Sequence, residues 1–367
     1  MKITRIDAIP FSIPYTHDLD LGLARRTTVA ARHVLVRVVT DEGLSGVAEA
    51  PARAQVYGET QCSIVAMIDE HLAPAILGKD PLDLEQIHAC LDDFPANNVA
   101  KGALDIALHD IIGKKAGLSL QQLLGGGGKH RVPVSWMVGL KAADEMAREC
   151  ARFAAIGFKA FKIKAGADPV KDVENFKAIR DAVGSEATLY IDANQGYGIR
   201  EARWAIERMQ KYGLAWVEEP CPIRDRRGRV ELARSIAVPI LGDESCFSPQ
   251  DVARELELGA LGMVSIKVAR TGIFKSRKIV HLCEQAGVAC LVGSQGESSL
   301  GAAAGAHFAA AFRNVRFPAE IGFHHQRIAV DLVRNPPDVS AGSIEVPCGA
   351  GLGVDLDDER LAEYRQR

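Results

Sequence analysis

The chain has little net charge, no paired-cysteine motif and no long apolar run, and each absence removes a class of function. Forty-four Lys and Arg face 47 Asp and Glu, a net charge of −3 with pI about 6.4. A protein that grips nucleic acid or an anionic membrane through bulk charge would be basic. The eight cysteines, Cys62, Cys90, Cys150, Cys221, Cys246, Cys283, Cys290 and Cys348, are scattered, with no CxxC pair. In a chain this long that reads as free thiols in a reducing compartment. The N-terminus, Met1-Lys2-Ile3-Thr4-Arg5-Ile6-Asp7, lacks the apolar core of a signal peptide. The apolar stretch from Ala302 to Phe312 is too short to span a bilayer and contains His307. A cytoplasmic globular protein is expected, with no nucleic-acid or membrane partner. A small anionic substrate is compatible, because local positive charge can exist on a near-neutral protein.

What is present is length and rhythm. The 367 residues, 47% hydrophobic, suffice for two domains or for one barrel with additions. The first 50 residues read as antiparallel strands: His33 to Thr40 is β-branched and apolar, Asp41-Glu42-Gly43 turns the chain, and Leu44 to Ala50 returns. Ala100, Ala103, Leu104, Ala107, Leu108, Ile111 and Ile112 recur at helical spacing. The four glycines Gly125 to Gly128 mark a domain boundary. Beyond them, short apolar runs end near Lys164, Asp192, Glu218, Asp243, Lys267 and Gly293, at intervals of 28, 26, 25, 24 and 26 residues. A first run at Val132–Val138 and a last at Val315–Glu320 bring the total to eight. Eight strand–helix units at this spacing are what a (β/α)8 barrel requires. The tail from Asn335 breaks the rhythm and is expected to pack back on the N-terminal domain.

In such a barrel, functional groups gather at the C-terminal strand ends. On the second run, Lys162 and Lys164 alternate with Phe161 and Ile163, so the two lysines share a face. Two crowded, half-buried ammonium groups disfavour each other's charge, and a lysine so placed titrates nearer neutrality and can move a proton from carbon. The next three runs end in carboxylates: Asp192 (with Asn194), Glu218 (with Glu219) and Asp243 (with Glu244). Converging carboxylates repel unless a cation joins them, and all-oxygen ligation suits a hard divalent ion such as Mg2+. The sixth run ends in Lys267, opposite the second run across a barrel. Any one of these residues alone is ordinary, since a strand-end carboxylate is commonly a helix N-cap and a lone lysine is commonly solvated. The ordered set on successive strands is what carries the argument.

The series Lys162-x-Lys164, Asp192-x-Asn194, Glu218-Glu219-Pro220, Asp243-Glu244-Ser245 and Lys267 resembles the enolase superfamily, and a lysine at 267 points to its muconate lactonizing enzyme subgroup. Lys101 to Ile111 resembles that family's capping-domain helix, Gly293 to Gly301 its loop after the seventh strand, and Tyr57-Gly58-Glu59-Thr60 the capping loop of muconate cycloisomerases. The resemblance implies an α/β fold: a modified TIM barrel, (β/α)7β, with an α+β N-terminal capping domain completed by the C-terminal tail. It divides the chain into a cap at 1–127, a catalytic barrel at 128–325 and a returning segment at 326–367. It implies Mg2+ (or Mn2+) on Asp192, Glu218 and Asp243, Lys164 and Lys267 as acid and base on opposite faces of an enolate, and Lys162 as electrostatic tuner. Tyr57, Asn194, Gln295 and Glu297 are the implied substrate contacts. A homo-oligomer, octamer or dimer, is expected.

The leading reaction is cycloisomerisation of cis,cis-muconate to muconolactone. Racemisation or epimerisation of an N-acyl amino acid, another amino-acid derivative or a dipeptide is the alternative. Against the dipeptide version, Ala319-Glu320-Ile321 stands where the family's dipeptide enzymes carry Asp-x-Asp at the last strand. Ile273 replaces a second glycine, and Gln295-Gly296 an apolar pair. Arg25, Arg26 and Arg53 lie in loops that would cover a dianion. Outside the family, a Schiff-base lyase and a non-catalytic binding barrel are the other readings. His324-His325 reads as a loop or interface pair, because adjacent residues on a strand point apart.

Overall fold

Three strands at the N-terminus pair as expected. In the computed structural model, which describes residues 1–16, 30–322 and 327–366, β1 (Ile3–Pro14), β2 (Ala30–Thr40) and β3 (Ser45–Pro51) form an antiparallel sheet in that order. Gly43, at φ 77°, closes the β2–β3 turn. Arg25, Arg26 and the pair His324-His325 lie outside the described residues.

The helix Asn98–Ala116 packs its Val99, Ala103, Leu104, Ala107 and Ile111 into the core. Its apolar stripe predicts one buried face, yet the helix is buried on nearly every side. The sheet covers one side and the helical segment Val268–Gln285 another. Its polar residues are used inside. Asp110 accepts from Val47 N at 3.0 Å and from Leu352 N at 2.8 Å, and pairs with Lys114. One carboxylate thus joins helix, sheet and tail. The tail also meets the cap through Arg37–Asp358 and through Gln366 N on Pro10 O.

The glycine stretch passes under the helix Ser299–Ala311. A Cβ at Gly126 would lie 2.6 Å from Ala311 Cα, so the close approach requires glycine there. The next apolar run is split rather than continuous. Its first half, β4 (Arg131–Pro133), pairs antiparallel with a C-terminal hairpin; its second half, β5 (Trp136–Val138), begins the barrel. The barrel continues with β6 (Ala160–Lys164), β7 (Thr188–Asp192), β8 (Leu214–Glu218), β9 (Ile240–Gly242), β10 (Met263–Ile266) and β11 (Ala289–Val292), all parallel and adjacent in chain order. The hairpin is β12 (Val339–Ser340) with β13 (Ser343–Glu345). An eighth stave closes the ring without forming a regular strand: Cys290 bridges Val315, Val134 bridges Ala319, and Glu320 N donates to Val292 O at 2.7 Å. Tyr190, Trp216, Leu241 and Leu291 fill the lumen below the strand ends.

His307, fully buried, joins three segments. Its Nδ1 accepts from Gln121 N at 3.2 Å and its Nε2 donates to Leu352 O at 3.1 Å. Burial pushes it down to about 4. The unfolded chain therefore binds this proton more readily, so the contribution is complete above about pH 6.5 and is lost as pH falls towards 4. Urea unfolding should show about 2 kcal/mol less stability at pH 5 than at pH 7 from this group. His307→Gln should remove that part of the slope; an unchanged slope would rule the group out.

Candidate active site

Register and alternation place the charged residues in one layer. Lys164, Asp192 and Glu218 are successive cross-strand partners on β6, β7 and β8. Paired residues on adjacent strands point to the same face, here into the barrel. Asp243 and Lys267 follow one residue past β9 and β10. All five, with Lys162, are at least 93% buried.

Each carboxylate is turned on an ammonium group. Lys162 Nζ lies 2.6 Å from Glu218, 2.8 Å from Glu320 and 3.1 Å from Asp192. Lys164 Nζ donates to Asp192 Oδ2 at 2.6 Å and Asn194 Oδ1 at 2.8 Å. Lys267 Nζ donates to Asp243 Oδ2 at 2.5 Å, and Arg270 takes the other oxygen at 2.9 Å. This corrects one expectation. Burial would lower Lys162, but Asp192, Glu218 and Glu320 outweigh it and hold the ammonium well above its ordinary value. Lys267 is likewise raised, by Asp243 against burial. The sequence shows the neighbouring lysine but not the carboxylates that three other staves bring to it. Glu218 moves the other way: burial, then Asp192 and Glu320, push it well up. Burial and Asp243 push Glu244 up to about 8.

Glu320 is the member that motif reading passed over. It ends the eighth run, it anchors Lys162, and it accepts from Tyr190 OH at 3.0 Å. Its position at a polar strand end was the available signal.

The rim is strained and braced. Asn194, Gln195 and Glu219 have φ of 43°, 64° and 34°, which non-glycine residues seldom adopt. Glu219 is held by Asp243 N at 2.8 Å, Ser245 N at 2.9 Å and Ser245 Oγ at 2.9 Å, and by Arg229 at 3.2 Å. It fixes the turn that carries Asp243.

Above the charges lies a cavity of about 1160 Å3 between cap and barrel. Lys162, Lys164, Asp192, Asn194, Asp243, Lys267, Gln295 and Glu320 line it from the barrel; His33, Arg32, Arg53 and Tyr57 line it from the cap. Tyr57 packs on Phe247 with ring centroids 5.1 Å apart. Arg53 Nε donates to Gln295 O at 2.7 Å. Glu218 lies beneath the cavity wall. Glu297 is also outside the lining, which corrects its expected substrate contact: its oxygens accept from Ser294 Oγ at 2.5 Å and Gln295 N at 2.8 Å, so it braces its own loop.

The donor set can be tested against a divalent cation. Among the described residues no three carboxylate or histidine side chains are gathered as a cation's ligands, because ammonium groups stand between them. Asp192, Glu218 and Asp243 nevertheless offer only hard oxygen donors from adjacent staves, and Glu218 Oε1 is buried with no hydrogen-bond partner. In chemistry and position the set fits Mg2+.

Glu219→Ala would leave Arg229 buried beside Glu255 alone and free the Asp243 turn. The expected cost is about 3–5 kcal/mol, read as a lower urea midpoint at pH 7. A loss below about 1 kcal/mol, within the range of an exposed pair, would show that Glu219 is not the brace.

Comparison with known proteins places the chain. Residues 7–125 match the mandelate racemase / muconate lactonizing enzyme N-terminal domain, and residues 145–360 match the enolase C-terminal domain-like family. L-Ala-D/L-Glu epimerase of Bacillus subtilis is 34% identical over 360 residues, 96% of this chain and 97% of the relative. The structure of muconate lactonizing enzyme from Mucobacterium Smegmatis complexed with muconolactone superposes with TM-score 0.96 at 38% identity, covering 100% of both chains. That of dipeptide epimerase from Enterococcus faecalis V583, complexed with Mg and the dipeptide L-Leu-L-Tyr, gives 0.92 at 32%, covering 97% of this chain and 100% of the other. With both halves matched and the lysines and carboxylates in one layer, this chain belongs to the enolase superfamily, in its muconate lactonizing enzyme-like subgroup.

Proposed function

We propose that residues 1–127 cap the site, that 128–325 form the catalytic barrel and that 326–367 strap the two together. The enzyme isomerises a small carboxylate by moving the proton alpha to that carboxylate. The observation that carries this is the pair Lys164 and Lys267, buried on β6 and just past β10, four staves apart in an eight-stave ring and facing one cavity.

Asp192, Glu218 and Asp243 would hold Mg2+ (or Mn2+), in keeping with the likeness to an epimerase complexed with Mg. Such an ion supplies a large fixed positive charge where the substrate carboxylate gains a second negative one. Lys162, locked among three carboxylates, is a stationary cation beneath the carboxylate. Lys164 and Lys267 are the mobile proton carriers, one for each face of the carbon. Lys267 donates to Asp243, the same carboxylate that the cation would claim, and must leave it to give or take a proton at the substrate.

The leading reaction is cycloisomerisation of cis,cis-muconate: one carboxylate adds to the conjugated double bond and a lysine protonates the carbon. Full-length likeness to a muconate lactonizing enzyme supports it, as do Arg32 and Arg53 facing the cavity for a second carboxylate. A second reading, racemisation of an N-acyl amino acid or epimerisation of a dipeptide, is favoured by Gln295. Its Nε2 and Oε1 are both buried at the cavity wall without a partner. An amide substrate offers both an acceptor and a donor; muconate offers only acceptors.

Incubation in D2O with Mg2+, followed by NMR, separates these. Exchange into muconolactone is the expected result; exchange confined to N-acetyl-D- and L-alanine or L-Ala-L-Glu would overturn cycloisomerisation. EDTA should stop exchange and borohydride should leave it intact. Lys164→Ala and Lys267→Ala should each slow it by about 10²–10⁴ on their own face; two fully active variants would refute the mechanism. Under the second reading, Gln295→Leu should cut kcat/KM for amide substrates about tenfold, the worth of one buried hydrogen bond. Equal effects on muconolactone would remove Gln295 as an amide reader.

A further inference from the structure

Lys267 begins a turn that is closed on itself. Its carbonyl accepts from Arg270 N at 2.9 Å, Thr271 N at 3.1 Å and Thr271 Oγ1 at 3.1 Å. The helical segment Val268–Gln285 then breaks at Gly272, with φ 65° and ψ 178°, and restarts at Ile273. A restarted helix exposes backbone N–H groups that its own turns cannot satisfy. A residue within the barrel would ordinarily cap them. Here the cap comes from the other domain. Asp105, on the helix Asn98–Ala116 and fully buried, accepts from Ile273 N, and from Phe274 N at 3.1 Å.

The fit around this carboxylate is close. A Cβ at Gly272 would lie 2.5 Å from Asp105 Oδ2, and one at Gly102 would lie 2.8 Å from Ala269 O. The second oxygen of Asp105 accepts from His88 Nε2 at 2.7 Å, and the His88 ring stacks on Phe274 at 4.1 Å and 11°. Burial alone would raise the Asp105 carboxyl, but His109 and His88 outweigh it and hold it far below the carboxylate range. It is an anion facing the positive end of a helix. Asp105 lines no part of the cavity.

We propose that Asp105 is a positioning residue for Lys267: through the restarted helix at Ile273 and the turn 267–271, the cap domain sets where one of the two proton-carrying lysines stands. Among the described residues, Lys164, on β6, bonds to Asp192 and Asn194 and has no such link to the cap helix. The proposal rests on the two-lysine reading above, and its test separates the two.

Asp105→Asn keeps the shape and weakens the cap. The probes are muconolactone and N-acetyl-D- and L-alanine, in D2O with Mg2+. Exchange on the Lys267 face should fall about 10- to 100-fold, the scale of a sub-ångström to one-ångström misplacement. Exchange on the Lys164 face and KM should change less than about threefold. Lys267→Ala identifies which face is which and tests the two-lysine reading by itself. His88→Gln, a milder change, should show the same one-sided loss at smaller size. Hydrogen exchange of the peptide spanning 267–276 should quicken in both variants, whatever the substrate. Equal loss on both faces, or unchanged protection of 267–276, would overturn the proposal.

Discussion

The structure turns on charge neutralisation in a place with little water. Four carboxylates, Asp192, Glu218, Asp243 and Glu320, meet four cations, Lys162, Lys164, Lys267 and Arg270, at the top of the barrel lumen. No one of these charges would be stable there alone, because desolvation costs several kcal/mol per ion. Together they are held, at the expense of a strained rim at Asn194, Gln195 and Glu219. The apolar layer of Tyr190, Trp216, Leu241 and Leu291 below supplies a floor that keeps the groups apart from bulk water. A site of this kind is prepared before substrate arrives, since most of its desolvation is met on folding.

The cap is more than a cover. Asp110 ties its helix to the tail and Asp105 ties it to the barrel. Glu49 on β3 reaches Ser298 N and Oγ at the start of the helix Ser299–Ala311, and meets His33 at the cavity wall. Three cap carboxylates therefore end on backbone N–H groups of other parts of the chain. Such contacts fix the angle between domains far better than apolar packing, because a hydrogen bond has a direction.

Much of this was legible in sequence because two periodicities were intact. A spacing near 26 residues gave the staves and their polar ends at Asp192 and Glu218, and the two-residue alternation put Lys162 and Lys164 on one face. What was not legible came from distant or very local partners. The split of Val132–Val138 depends on residues 343–345, more than 200 positions away. Glu320 ends a run legible as the eighth stave, but its part in the charge layer depends on Lys162 and Tyr190, which two other staves supply. Glu297 was misjudged because Ser294 and Gln295, its immediate neighbours, turn it inward. The state of Lys162 depends on charges from three separate staves, and one-dimensional neighbours misled.

The bond from Leu352 N to Asp110 has a consequence for how the molecule is made. The two residues are 242 positions apart, and β4 has its partner only once residue 345 exists. During synthesis the cap helix emerges before one of the donors to Asp110, and β4 emerges before the hairpin that pairs with it. Contacts of such long range form late and slowly. The barrel ring closes through residues 315–320, but β4 and the cap helix gain their last partners only when nearly the whole chain is available. Arrest of translation before residue 343 would leave every proposed catalytic residue present, with β4 unpaired and Asp110 short of its donor from the tail.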